Sequence, residues 1–143
     1  MRRWGAMARR GALVAAVALV AGCASSPPPP WSEPADYTYD ATIEVFGPAS
    51  GQWRVTVRGG AVTEVEPLDD VARFSDVDRG ATAEDFLTFA EYEQMYADAV
   101  AGGADTARLT RDESGALSRL EIDMSADAQD DEFTVAVTAI DVP

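Results

Sequence analysis

Carboxylates gather near the end of the chain: Asp123, Asp127 and the consecutive Asp130-Asp131-Glu132. Adjacent carboxylates repel, so they either spread into water or share a cation. Three chemistries fit such a run. One is a solvated acidic turn, the default for a charge cluster in a loop. The second is a calcium site at Asp130, Asp131 and Glu132, completed from other loops because calcium takes about 6–8 oxygens. The third is a glycosidase-like carboxylate pair, which needs a cleft and a set separation. Asp76-Val77-Asp78-Arg79-Gly80 is a second fragment of a calcium loop, without the third acid or the closing glutamate of an EF-hand.

Other catalytic classes find few residues to use. The chain has no histidine and no lysine. That removes Ser-His-Asp and Cys-His arrangements, histidine metal sites and Schiff-base chemistry. No phosphate-binding or dinucleotide-binding glycine pattern is present. Apart from calcium no cofactor is expected, and a non-enzymatic protein is.

The only cysteine is Cys23, in Val20-Ala21-Gly22-Cys23. It follows a basic start with Arg2, Arg3, Arg9 and Arg10 and an apolar run from Gly11 to Ala21. That run falls short of the roughly 20 apolar residues of a membrane span and suits a cleaved export signal. Together these features resemble a bacterial lipoprotein signal with its lipobox, and Met7 is an alternative start. Residues 1–22 are then the signal peptide, residues 23–36 a lipidated cysteine and proline-rich tether, and residues 37–143 the folded module. The resemblance implies diacylation of Cys23, palmitate among the acyl chains, and a place on the extracytoplasmic face of the cell membrane. Two or more chains anchor firmly where one does not. Four consecutive prolines, Pro27 to Pro30, favour a stiff polyproline spacer of about 3.1 Å per residue.

Removing the first 22 residues takes away four arginines and none of the 25 acids, so the formal net charge moves from −14 to −18. Such a surface repels nucleic acid and anionic headgroups and favours cations. The expected partners are the membrane, through the N-terminal lipid, and an envelope protein or a small cationic ligand; no nucleic acid is expected.

Alternating apolar residues predict the elements. Tyr37 to Val45, Trp53 to Arg58 and Ala61 to Glu66 read as strands, with Gly59-Gly60 as a hairpin turn. Pro67 to Gly80 reads as polar and irregular. Thr82 looks like an N-cap for a helix through Phe86, Phe89, Ala90, Tyr96, Ala97 and Val100, ending at Gly102-Gly103. Strands follow near Asp105 to Arg111, around Leu120 to Met124 and from Phe133 to Ala139. The fold class is therefore α+β: an antiparallel sheet of about six strands, in the order three strands, one helix, three strands, with the helix packed on one face. Tyr92 and Trp31 lie outside the clearest apolar stripes and are candidates for a binding surface.

Several stretches resemble, in order, a family of small secreted or lipid-anchored bacterial modules known only as a domain of unknown function. They are Tyr37-Thr38-Tyr39, Val55 to Val62 across the hairpin, Thr82 to Phe86, Arg111 to Gly115, Ile122-Asp123 and Asp130 to Glu132. The resemblance implies the fold and an extracytoplasmic place, and no activity. Relatives often carry cysteines in the first hairpin loop, and Phe46 to Trp53 has none.

Overall fold

A computed structural model describes residues 31–128 and 130–143. Strands β1 (Tyr37–Val45), β2 (Gly51–Arg58) and β3 (Ala61–Pro67) form one antiparallel meander, and β4 (Thr106–Arg111), β5 (Leu117–Asp123) and β6 (Glu132–Asp141) form a second. The first strand pairs with the last, from Thr38 opposite Asp141 to Val45 opposite Phe133, with a bulge between Asp40 and Ala41. This joins the meanders into one six-stranded sheet ordered β3-β2-β1-β6-β5-β4. The α+β class and the antiparallel six-stranded sheet agree with the pattern of alternation.

That alternation sends one set of side chains to a single covered face. Tyr37, Tyr39, Ala41 and Ile43 on β1 are buried there with Trp53, Val55 and Val57 on β2, Leu120 and Ile122 on β5, and Val135 on β6. Fully burying a side chain of this size stabilises by roughly 1.5–3 kcal/mol. Trp53 also satisfies its indole N–H, which donates to Ser50 O at 3.2 Å, and its ring meets Phe86 edge-on at 4.8 Å.

The expected order of three strands, one helix and three strands is corrected. Two helices stand between the meanders: α1 (Asp70–Arg79) and α2 (Phe89–Gly102), separated by a 3-10 turn at Ala83–Asp85. Helix α1 lies over β2 and β3, and α2 over β4 and β5. The stretch read as irregular thus contains α1, and a physical reason explains why its period was hidden. It buries only Ala72 and Ser75, while Val71, Phe74 and Val77 point to solvent. The Asp69 carboxylate caps its start, accepting from Ala72 N at 2.7 Å, and Gly80 ends it in the left-handed conformation.

The start of the second helix is corrected too. Thr82 instead caps the start of the 3-10 turn, where its backbone N–H donates to Asp85 Oδ2 at 2.8 Å. Helix α2 begins seven residues later in sequence, at Phe89, and Thr88 is its cap. The Glu91 carboxylate accepts from Thr88 N at 2.7 Å while Thr88 Oγ1 accepts from Glu91 N at 3.3 Å, a reciprocal capping box. Its buried side is Phe89, Tyr92 and Ala99; Ala90, Ala97 and Val100, expected on the packed face, are exposed.

The folded body also takes in part of the expected tether. Trp31 packs on Phe89 and Tyr37, with ring centroids 5.2 and 6.2 Å apart. Glu33 joins them, accepting from Tyr37 Oη and from the first backbone N–H groups of α2.

Candidate functional site

Above β1 and β6, the two flanking helices leave room for a cleft of about 290 Å³. Its floor is Ile43, Val45 and Phe133 from the sheet. Leu87, Tyr92 and Met95 wall it on one side, and the Phe46 to Ala49 loop walls it on the other. Apart from the Asp85 carboxylate, the side chains that line it are apolar or aromatic. Arg79 Nη1 donates to Gly47 O at 3.0 Å and steadies the loop from behind.

Phe46 is the prominent member, 78% exposed. It directly follows the last residue of β1, and on its other side lies a groove of about 240 Å³ lined by Glu44, Asp130, Glu132 and Thr134. Val45 and Phe46 line both hollows. An apolar cleft and an acidic groove therefore share one wall. A third hollow, about 560 Å³, runs between α2 and β5 along Met95, Ala99, Ile122 and Met124, with Glu91, Gln94 and Asp98 at its edge. Met95 belongs to this groove and to the cleft. The cleft alone lies near the lower end of ligand-site volumes, about 300–1,000 Å³; with the adjoining groove it exceeds that end comfortably.

Behind the cleft is a network of tyrosines. The Tyr39 ring packs on Phe89 at 4.9 Å, and its hydroxyl donates to Leu87 O at 2.6 Å. Burial pushes the Tyr92 hydroxyl up to about 12, against a smaller lowering from hydrogen bonding to Tyr39. Burial raises Tyr37 and Tyr39 as well, the former reinforced by Glu33. These hydroxyls are neutral hydrogen-bonding groups that hold the wall; none is poised to lose a proton near neutral pH.

Of the residues singled out from sequence, Val20, Ala21, Gly22 and Cys23 lie outside the described residues. The acidic run does not act as one group. Asp130 and Glu132 open onto the groove beside Phe46, and Asp131 is not among its lining residues. Asp123 and Asp131 each keep one buried carboxylate oxygen without a hydrogen-bond partner. Among the described residues, no three acidic side chains converge to hold a metal ion. Asp76 and Asp78 sit on the exposed side of α1, so the fragment that hinted at a calcium loop is helical. Tyr92 is 1% exposed and Trp31 is packed on the core, so neither forms a free surface, although Tyr92 contributes to the cleft wall.

Phe46 and Met95 were not singled out. Phe46 had a signal: Tyr37, Tyr39, Ala41, Ile43 and Val45 hold one parity, and Phe46 puts an aromatic on the polar one. Met95 had none, because the cleft exists only once α2 lies beside β6.

Sheet, helices and cleft define a small α+β module with one covered sheet face and an apolar hollow at its edge. The chain belongs to the Family of unknown function (DUF6174), whose model matches residues 30–142. The match begins before β1 and so includes Trp31 and Glu33. No curated protein and no solved structure matches the chain. Among the described residues, no helix is long and apolar enough to cross a membrane.

Proposed function

We propose that this protein is a lipid-anchored binding module of the cell envelope, held at the extracytoplasmic face of the membrane through Cys23 and without catalytic activity of its own. Its ligand is cationic and amphipathic. One observation carries this: Val45 and Phe46 are lined by apolar residues on one side and by Glu44, Asp130 and Glu132 on the other. An apolar body in the cleft would leave its positive charge beside those carboxylates. The net charge of −18 that remains once residues 1–22 are removed favours the approach of such a ligand at low salt.

The ligand claim is tested by titrating a short alkyl-trimethylammonium ion and following the Met95 methyl resonance. Saturable binding, lost in Phe46→Asp, is expected; an alkyl sulfate of equal length that binds equally well would defeat it. The anchor is tested with labelled palmitate, which enters the wild-type protein and not Cys23→Ser. Equal labelling of the two removes the anchoring claim.

A further inference from the structure

We propose that the natural occupant of this surface is a basic amphipathic helix of a partner protein, lying alongside α2, and not a compact cation. This rests on the cleft being a binding site. Its own ground is the continuity of the apolar floor. Met95 faces both the Phe46 cleft and the groove between α2 and β5, so the two hollows meet at one side chain. Beyond Met95 the floor continues through Ala99, Ile122 and Met124. From Glu91 to Ala99 the groove follows α2 for about 12 Å, the length of about eight residues of a docked helix. A trimethylammonium group fills a small part of that length.

Chemistry selects the occupant. Helix-in-groove recognition reads apolar anchors at three- and four-residue spacing. Two methionines suit such a site, because their unbranched thioethers adapt to different anchors. Met124 is 44% exposed, so an apolar side chain remains open to a partner at the far end. The rim carries charge of one sign: Asp85 at the cleft, Glu91 and Asp98 at the groove, and no arginine lines either hollow. These carboxylates accept hydrogen bonds from Thr82, Thr88 and Gln94 and keep their negative charge, so an acidic helix would be opposed, whereas arginine or lysine beside the apolar anchors complements them. A second copy of this chain brings the same net negative charge and is disfavoured on that ground.

Three probes separate this from the simpler reading: a helical peptide of leucine and arginine with apolar residues at three- and four-residue spacing, a scrambled peptide of the same composition, and the alkyl-trimethylammonium ion. The ordered peptide is expected to bind at least about tenfold tighter than the scrambled one. Met124→Asp and Asp98→Arg each weaken the ordered peptide by about tenfold or more and leave the alkylammonium ion unaffected, whereas Phe46→Asp weakens both ligands. Both far-groove residues are exposed, and circular dichroism confirms that the variants fold. Equal binding of the two peptides overturns the inference while binding of the small cation keeps the cleft reading alive. So does an ordered peptide indifferent to both far-groove variants. Failure of all three ligands removes both readings, as does a sedimentation profile in which a dimer occludes the surface.

Discussion

The Glu33 carboxylate sits on the N-terminus of α2, accepting from Phe89 N at 3.0 Å through Oε1, across 56 residues of sequence. Its Oε2 accepts from Ala90 N at 2.9 Å. The unpaired N–H groups and positive dipole end of a helix stabilise a carboxylate in this position. A residue close to the proposed anchor thus locks onto the element that walls the cleft. Glu33→Ala is expected to lower stability by about 1–2 kcal/mol, and Glu33→Gln by less, since the amide oxygen still accepts one bond. Urea denaturation measures both; Glu33→Ala indistinguishable from wild type would mean the lock contributes nothing.

The buried tyrosines make a prediction at high pH. The hydroxyls of Tyr37, Tyr39 and Tyr92 are all raised above their ordinary value of 10.0, chiefly by burial. The folded state therefore favours the neutral phenol more than the unfolded state does. Stability from this source is fully present below about pH 10, the unfolded value, and is lost as pH rises toward the folded values. Phenolate absorbance from these three residues should appear together with unfolding, as one transition. Their titration near pH 10 in a protein that remains folded by circular dichroism would contradict the burial.

Much of the sheet could be read from the chain because a strand writes its burial into alternate residues. Tyr37 to Val45 and Trp53 to Val57 do so over their whole length. The pairing of β1 with β6 could not be read, because its register joins residues almost a hundred positions apart. Helix α1 escaped because its buried side is made of Ala72 and Ser75, and small residues leave no apolar period. Thr88 and Glu91 have the preferred capping-box types, yet Thr82 and Asp85 offer the same spacing six residues earlier, and pattern alone does not choose between them. The cleft is the least legible part: its walls come from separate segments, and only Tyr92, outside the clearest apolar stripe of its helix, and Phe46, on the wrong parity of its strand, carried a signal.

The acid side of the stability profile has one identified contributor in the turn between β4 and β5. The Asp112 carboxylate is held below its ordinary value of 3.8, chiefly by the Ser114 side chain, which donates to Oδ1 at 2.6 Å, with Ser114 N and Ala116 N also donating. A depressed carboxylate contributes stability that is present above about pH 4 and lost as pH falls through the folded value. Asp112→Ala should lower stability at neutral pH and make the loss between neutral pH and pH 3 shallower than in wild type. Parallel curves for the two proteins would show that the turn does not depend on this charge.

Close approach of α1 to the sheet makes Gly51 intolerant of a side chain. Its φ is +115°, and a Cβ there would stand 2.5 Å from Ala72 N and 2.8 Å from Ala72 Cα. The obstruction is backbone, which cannot rotate aside as a side-chain tip can. Helix α1 rests on the sheet through the small residues Ala72 and Ser75, so it has little other apolar contact with which to hold its place once displaced. Gly51→Ala combines the left-handed strain with this clash and is expected to destabilise by about 2–4 kcal/mol. Gly47→Ala is the control, because a Cβ at that position meets nothing within 4 Å. Hydrogen exchange locates the damage: faster exchange in α1 and β2, with α2 protected, is the expected pattern. A Gly51→Ala protein as stable as Gly47→Ala would mean that α1 can lift from the sheet at no measurable cost.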